Sequence, residues 1–332
     1  MARRAWKLLM WTTLGCAMIT ACPSPYADQA GPASDAGSEA SGDGSGGGDG
    51  DGSADGAASD VTAPPDAAAC DLQKPFGAPM LIVELTSPMQ DYALAFTADE
   101  RTVILASTRD AGVQRLFVAT RVNVGDPFPT PVPFTIPDAD LATEPSLTPD
   151  GGLLFFALPS ADAGFDLYST KRLATPDLAY DVPVPLAELN SGGSDLTPAL
   201  SADGNEVFFM SLRDGQQAIY RSTRTAAGTF RPPTLVNEIF LDGGHQIAPV
   251  LSADGTTLYF AANVPTGLGA LDVWMATRPS RLDPFGAPHP IPEVSSTASD
   301  QPVWVSTDGC RLYIASGRNG SGFDFFVATK PL

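Results

Sequence analysis

The stretch that decides the fold runs from Ala248 to Arg278 and reads APVLSADGTTLYFAANVPTGLGALDVWMATR. Two apolar runs flank the pair Asp254-Gly255, and a third apolar run is closed by Arg278. An Asp-Gly pair between such runs is typical of a β-hairpin, because its tight turn needs positive φ angles. The runs are short and rich in β-branched and aromatic residues, which favours strands over helices. The stretch therefore predicts three consecutive strands.

The same unit recurs five times along the chain. The turn aspartates are separated by 51, 53, 51 and 54 residues and are Asp99, Asp150, Asp203, Asp254 and Asp308. A period of this size with several strands per unit predicts a β-propeller. A proline-rich fourth run follows most copies, and proline is confined to edge strands because it cannot donate to a ladder. We therefore predict an all-β, five-bladed propeller whose fourth strands lie at the rim.

The two ends of the repeat region complement each other. The last copy stops at Leu332 without a fourth strand, whereas the region begins with an unaccompanied fourth-strand sequence at 75–85. We expect the N-terminal strand to complete the last blade, which closes the ring and removes open sheet edges. Cys70 precedes this N-terminal strand, and Cys310 lies at the start of the second strand of the last blade. The two strands begin at the same end of the blade, about 10 Å apart at about 4.8 Å per strand. We expect a Cys70–Cys310 disulfide, with two free thiols as the alternative.

The first 22 residues have the organisation of a secretion signal. A basic start is followed by an apolar segment at 8–19 that is too short to span a bilayer. Ile19-Thr20-Ala21-Cys22 looks like a bacterial lipobox, in which Cys22 is the lipidated residue. An ordinary signal peptide without lipid is the alternative. We therefore predict a lipoprotein signal peptide at 1–22.

Residues 23–69 form a Gly/Ser/Ala/Asp-rich segment with nine acidic residues and neither Lys nor Arg. Such a composition cannot bury enough apolar surface to fold, so the segment is interpreted as a disordered, self-repelling tether. The stretch GDGDGSADG at 48–56 faintly resembles the spacing of a calcium loop. Low complexity explains that stretch better.

The charge of the chain limits its partners. Removing the three positive charges of 1–22 and the nine negative charges of 23–69 from the net charge of −19 leaves −13 for 70–332. This balance argues against nucleic-acid binding and against contact with anionic lipid. We therefore expect attachment to the membrane through the lipid anchor only. We also expect 70–332 to form one monomeric domain, since it is long enough to bury a core.

The repeat resembles a known family. PALSADGNEVFF at 198–209 and PVLSADGTTLYF at 249–260, with Ser-x-Arg elements at 107–109, 211–213 and 316–318, look like the WD-repeat-like unit of TolB-type envelope propellers. The resemblance covers about four fifths of the chain. It implies the fold and an envelope location, but no particular activity, because such repeats serve many roles. TolB-type propellers usually have six blades, so a degenerate sixth blade stays open.

Polar residues recur at the predicted start of the innermost strands, where they would surround one mouth of the central channel. The candidate ligand or cation ring comprises Asp91, Glu144, Asp195, His245 and Asp300. Such a ring suits a cation such as calcium, a polar ligand, or the paired carboxyls of a glycosidase. The structural alternative is that these side chains cap strand ends or pair with Arg109, Arg213 and Arg318.

Other chemistry has little support in the sequence. Ser201 and Ser252 lie in Ser-Ala-Asp-Gly, which is not a nucleophile elbow. The sequence has no His/Cys cluster at metal-ligand spacing and no phosphate-binding loop, so the identity of any metal is unknown and no cofactor is expected beyond calcium. We therefore predict that the protein is not an enzyme.

These observations predict a bacterial cell-envelope lipoprotein, in the outer membrane or periplasm, that displays a propeller for protein binding or scaffolding. Its partner would be an envelope protein or a polysaccharide. The alternative is a carbohydrate- or cation-binding propeller, glycosidase-like, that uses the carboxylates at the channel mouth.

Overall fold

The chain folds almost entirely into short antiparallel strands. The structure, a computed structural model, describes residues 70–161, 164–175, 177–242, 244–320 and 322–332. These residues form five four-stranded sheets and one short 3-10 helix, Asn237–Ile239. No helix in this part of the chain is long and apolar enough to cross a membrane. The predicted signal peptide and tether, with Cys22, lie outside the described residues.

Each sheet is one blade, built from strands that follow one another in sequence. Blade 1 contains β2 (Asp91–Phe96), β3 (Thr102–Asp110), β4 (Val113–Thr120) and β5 (Val132–Pro133). Blade 2 contains β6 (Thr143–Leu147), β7 (Leu153–Pro159), β8 (Phe165–Lys171) and β9 (Val184–Pro185). Blade 3 contains β10 (Asp195–Leu200), β11 (Glu206–Ser211), β12 (Ala218–Thr223) and β13 (Thr234–Leu235). Blade 4 contains β14 (His245–Leu251), β15 (Thr257–Asn263), β16 (Asp272–Thr277) and β17 (His289–Pro290).

Blade 5 joins the two ends of the chain. It contains β1 (Met80–Leu81), β18 (Asp300–Val305), β19 (Arg311–Ser316) and β20 (Asp324–Thr329). The N-terminal strand β1 pairs with β20, with Met80 opposite Val327 and Leu81 opposite Phe326. The predicted closure and the five-bladed, all-β fold class are therefore confirmed.

A disulfide reinforces this closure. Cys70 and Cys310 are bonded, with their Cα atoms 5.8 Å apart and 240 residues between them in sequence. The backbone nitrogen of Asp71 also donates to the carbonyl oxygen of Pro331 at 2.9 Å. The predicted pairing is confirmed, and free thiols are excluded at these two positions.

The innermost strands surround the central channel. Each of β2, β6, β10, β14 and β18 contacts the innermost strands of both neighbouring blades. We call the end of the ring where these strands begin the crossover face, and the end that carries the Asp turns the hairpin face. The apolar core lies between blades as five clusters, one at each interface. Large aromatic side chains such as Phe156, Phe209 and Phe260 are fully buried there.

Proline protects the rim of the propeller. The second residue of the outer strand is proline in three blades: Pro133, Pro185 and Pro290. The next residue donates inward, as when the nitrogen of Phe134 bonds the carbonyl oxygen of Leu116. The proline nitrogen therefore faces away from the sheet, where a free N–H would invite pairing with another strand.

Candidate functional site

The turn aspartates are explained by the turns themselves. In blade 3, Asp203 accepts bonds from the hydroxyl of Ser201 at 2.7 Å and the backbone nitrogen of Asn205 at 3.1 Å. The same two bonds recur in the other four turns. The next residue has positive φ, and it is glycine in four blades. In the first blade Glu100 takes that position with φ 50°, and its carboxylate is drawn into the protein.

Three carboxylates of the candidate ring are used inside their own blades. Asp91, Asp195 and Asp300 are fully buried. Each carboxylate finds its partners inside the protein. One oxygen accepts a hydrogen bond from an arginine at 2.6–3.0 Å, and the other accepts one from a backbone N–H at 2.6–2.7 Å. The arginines are Arg109, Arg213 and Arg318.

Each of these arginines also holds the incoming chain. The Nε of each arginine donates to the hydroxyl of the serine two residues earlier. The Nη2 that bonds the aspartate also donates to a carbonyl oxygen in the connection from the previous blade. The Asp–Arg pair thus ties the start of the innermost strand to that connection. Pairing with arginine, which the sequence left open, accounts for these three aspartates.

The other ring positions differ. His245 is exposed at the start of β14, and Gln246 donates to the carbonyl oxygen of Ile239 at 3.0 Å. Among the described residues, no group of three or more His, Cys, Asp or Glu side chains is arranged to hold a metal ion. The ring as a ligand or cation site therefore stays a prediction, and its remaining unpaired carboxyl is Glu144.

Glu144 lies at a bulge of β6 with φ 53°. It makes no hydrogen bond or ion pair with any described residue, and it keeps only part of its surface exposed. Burial raises the pKa of this carboxyl to about 7. Burial, and next the charge of Glu144, raise the pKa of Tyr92 on the neighbouring innermost strand.

Equivalent bulges occur in the next two blades. Thr197 and Ala248 occupy the same repeat position as Glu144, with φ 51° and 52°. The Thr197 hydroxyl is buried without a hydrogen-bond partner among the described residues. Bulges often re-aim side chains next to binding sites. Glu144 therefore sets blade 2 apart, because it is the carboxyl at this repeat position and has no hydrogen-bond or ion-pair partner among the described residues.

The channel is nearly closed at its other end. A cavity of about 50 Å³ there is lined by apolar side chains of all five innermost strands, among them Phe96, Leu147, Leu200, Leu251 and Trp304. This space holds one or two water molecules at most, since a water occupies about 30 Å³. A wider depression lies on the hairpin face over blade 2, where Asp150 and Asp203 are already engaged in their turns. Glu144 lines neither of these two spaces.

Sequence reasoning missed two ionic networks between blades. Glu206 of blade 3 accepts hydrogen bonds from the Nη2 and Nη1 atoms of Arg278 of blade 4, at 2.8 and 3.4 Å. Glu100 of blade 1 binds Arg311 and the Tyr313 hydroxyl of blade 5. The two networks use different repeat positions: Arg278 closes the third strand of blade 4, whereas Arg311 begins the second strand of blade 5. No position shared by all five copies therefore signals these contacts in the sequence.

The same closing position also binds the start of the outer strand. Its cationic group lies over an aromatic ring at 4.3–4.5 Å in four blades, in the pairs Arg121–Phe128, Arg224–Phe230, Arg278–Phe285 and Lys330–Phe76. Such cation–π contacts stabilise by roughly 0.5–2 kcal/mol, more when desolvated. In blade 2 the aromatic residue is Tyr180, whose hydroxyl instead donates to the carbonyl oxygen of Gly151 at 2.6 Å.

Comparison with known proteins identifies the fold. No protein-family profile matches the chain, and no curated protein matches it either. Among solved structures, TolB from Acinetobacter baumannii is 19% identical over 73% of this chain with a TM-score of 0.45. The chain spans about half of that TolB, 55% of its length. A thermostable family-43 glycoside hydrolase is 13% identical over 74% of this chain and 91% of its own, with a TM-score of 0.50.

These likenesses correct one prediction. The sequence predicted a protein that is not an enzyme, and this prediction is wrong as an exclusion. The finding that overturns it is that the family-43 enzyme, at a TM-score of 0.50, has a similar propeller fold. A propeller of this kind is thus compatible with catalysis. At such identity the family-43 match establishes the fold alone, and that fold is a β-propeller, here with five four-stranded blades.

Proposed function

We propose that the protein is a cell-envelope lipoprotein whose propeller binds a carbohydrate at the crossover-face mouth of the channel. The observation that carries this proposal is Glu144, a largely buried carboxyl without a partner among the described residues. Its oxygens are not among the side-chain atoms that are buried without a partner, so water reaches them, and a ligand with hydroxyl groups can replace that water.

The surroundings of Glu144 favour a sugar over other small ligands. Tyr92, on the neighbouring innermost strand, provides an aromatic ring with a polar tip. A few polar groups beside an aromatic surface are typical of sites that fix the orientation of a ligand. Sugar hydroxyls both donate and accept, so they suit a carboxyl that is partly protonated near neutral pH.

Hydrolysis is the second candidate function, and the pKa of Glu144 favours it. A carboxyl with a pKa of about 7 still holds its proton on a large fraction of molecules at neutral pH, as a general acid must. Glycosidases pair such an acid with a second carboxyl. Asp91, Asp195 and Asp300 have both oxygens engaged, which is why binding is the function that the geometry supports best.

Two observations support the envelope location. The Cys70–Cys310 disulfide is of the kind that persists in oxidising compartments outside the cytosol. The lipobox-like segment ending at Cys22 and the acidic tether at 23–69 would anchor the propeller and hold it away from the membrane.

The test is binding of the mature full-length protein to a panel of envelope and plant polysaccharide fragments, measured by calorimetry. The variant Glu144→Gln should lower affinity by about tenfold or more, because hydrogen bonds to charged groups contribute roughly 1.5–3 kcal/mol. Glu188→Gln is the matched control, since Glu188 is an exposed glutamate of the same blade. Equal affinities of the two variants for every glycan bound would refute the site. Release of reducing ends in the same samples would establish hydrolysis.

A further inference from the structure

The outer strand of blade 5 lacks the proline that protects other rims. Blades 1, 2 and 4 have proline as the second residue of this strand, at Pro133, Pro185 and Pro290. Blade 5 has Leu81 there, and the nitrogen of the next residue, Ile82, donates to the carbonyl oxygen of Phe325 in β20 at 2.9 Å. Because the backbone groups of successive strand residues point to opposite sides, the N–H and C=O of Leu81 point away from β20. The edge of blade 5 therefore offers a donor and an acceptor to another strand.

The side chains along this edge are apolar and exposed. Met80 is 72% exposed and Val83 is 70% exposed. The stretch PFGAPMLIV at 75–83 has no charged residue. Blade 3 also lacks the proline, but its outer strand is flanked by exposed polar side chains, those of Thr234 and Asn237. An apolar edge without a blocking residue is a template for pairing with another chain.

This edge is complementary to itself. In a hydrogen-bonded pair of antiparallel strands, two directly opposed residues exchange both of their N–H···O=C bonds. A two-fold axis at Leu81 would therefore satisfy the outward groups of this residue in both copies of the chain. The same register places Met80 opposite Ile82 and Pro79 opposite Val83, so the opposed side chains near the axis are all apolar.

The charge of the protein also favours contact along this edge. Residues 70–332 carry a net charge of −13, so two copies repel each other. In the two-fold register, Glu84 is the first charged residue after the edge, and it lies opposite Ala78. The pairing therefore brings no like charges directly together.

We propose that two copies of the protein pair along β1 and form a symmetric dimer at the rim of blade 5. The paired segment is short, and interfaces of small area belong to weak, transient complexes. This dimer would replace the monomeric domain that the sequence led us to expect. The proposal does not depend on the carbohydrate site.

The test is disulfide trapping in the purified full-length protein under a mild oxidant, read on non-reducing gels. Opposed residues of a hydrogen-bonded pair have Cα atoms about 5.5 Å apart, a distance that a disulfide spans. Leu81→Cys should therefore give about fivefold more covalent dimer, or better, than the matched control Val132→Cys. Val132 lies on the proline-protected rim of blade 1 and is 57% exposed, against 38% for Leu81. Random collision favours the more exposed thiol, so equal or lower trapping at Leu81 would overturn the proposal.

Two further measurements test the cause. Adding Met80→Glu/Val83→Glu to Leu81→Cys keeps the cysteine but removes the apolar contacts, and it should lower trapping to the level of Val132→Cys. Raising the salt concentration from about 50 mM to about 500 mM should increase trapping, because salt screens the repulsion between two acidic domains. If the charged variant is trapped as well as Leu81→Cys alone, or if salt lowers trapping, the apolar strand edge is not the contact and the proposal fails.

Discussion

The buried pair between blades 3 and 4 leads to a quantitative prediction. In Glu206→Ala the carboxylate is removed while the Arg278 guanidinium stays in place. The Arg278 side chain is fully buried, and the Glu206 side chain is only 4% exposed. We expect this single change to be among the most destabilising in the domain.

The magnitude follows from what Arg278 keeps. Its Nε still donates to the carbonyl oxygen of Gly255 at 2.7 Å, and its guanidinium still lies 4.5 Å from the ring centre of Phe285. The other nitrogens lose both carboxylate oxygens. Removing one partner of a buried ion pair costs about 3–5 kcal/mol, because the remaining charge is left without compensation. A domain of this size shifts its Tm by about 2–4 °C per kcal/mol, so the Tm should fall by roughly 6–20 °C.

The assay is chemical and thermal unfolding followed by circular dichroism, with Arg281→Ala as the matched control. Arg281 belongs to the same network, but its pair with Asp203 is between side chains that are 36% and 45% exposed. Exposed pairs contribute about 0–1 kcal/mol, so this control should lose little. The double variant Glu206→Leu/Arg278→Met should recover most of the stability, since apolar groups of similar volume often replace a buried pair without loss.

Two results would refute the reasoning. The first is a loss in Glu206→Ala no larger than that in Arg281→Ala. The second is an equal loss from Glu206→Ala whether position 278 is arginine or methionine. The second result would mean that the cost comes from the cavity and not from the unpaired charge.

Three further predictions follow from other parts of the structure. The pKa of Glu144 is about 7 in the folded state and near 4.3 in an unfolded chain. Between these two values the folded state binds more protons than the unfolded state, so the free energy of unfolding falls as pH rises. The unfolding free energies measured in urea at pH 5.5 and pH 8 should differ by about 2 kcal/mol, and Glu144→Gln should abolish this difference. Replacing Cys70 and Cys310 by serine should lower the unfolding free energy by about 3–5 kcal/mol, since the bond closes a loop of 240 residues; an unchanged denaturation midpoint would contradict it. Cys22→Ser should move the protein from the membrane fraction to the soluble fraction, and globomycin should cause precursor of the parent protein to accumulate; membrane retention of the variant would exclude a lipid anchor at Cys22.

The fold could be predicted because its determinants are local and repeated. Four Asp-Gly turns and one Asp-Glu turn fix five hairpins, and the outer-strand prolines fix which strand faces solvent. The closure followed from counting strands at the two ends. None of these inferences needs to know which side chains meet across an interface, and that is why they are confirmed.

The ring of carboxylates shows where this approach stops. Strand order places Asp91, Asp195 and Asp300 at one mouth, but it does not reveal whether their oxygens are free. One available signal was a co-occurrence within the sequence. Each of the three aspartates is followed 18 residues later by an arginine, and the two copies that have Ala142 or Gln246 lack that arginine. Residues that appear and disappear together in a repeat are expected to be partners, as the ion pairs confirm.

Contacts between blades were beyond this kind of prediction. Glu206 and Arg278 are 72 residues apart, and their meeting depends on the angle between two neighbouring sheets. The corresponding positions in other copies hold residues as different as Leu153, Thr257 and Arg311. A pattern shared by all copies therefore cannot report a contact that two interfaces make and three do not.

The departures from the repeat are consequently the more informative residues for function. What all five blades share, such as the turn aspartates, is accounted for by holding a blade together. A ring of five equivalent blades would offer a ligand five equivalent positions and no preferred one. Blade 2 breaks this equivalence through Glu144, whose carboxyl has no hydrogen-bond or ion-pair partner among the described residues. A ligand that binds at this end of the channel therefore has a reason to prefer blade 2 over the other four.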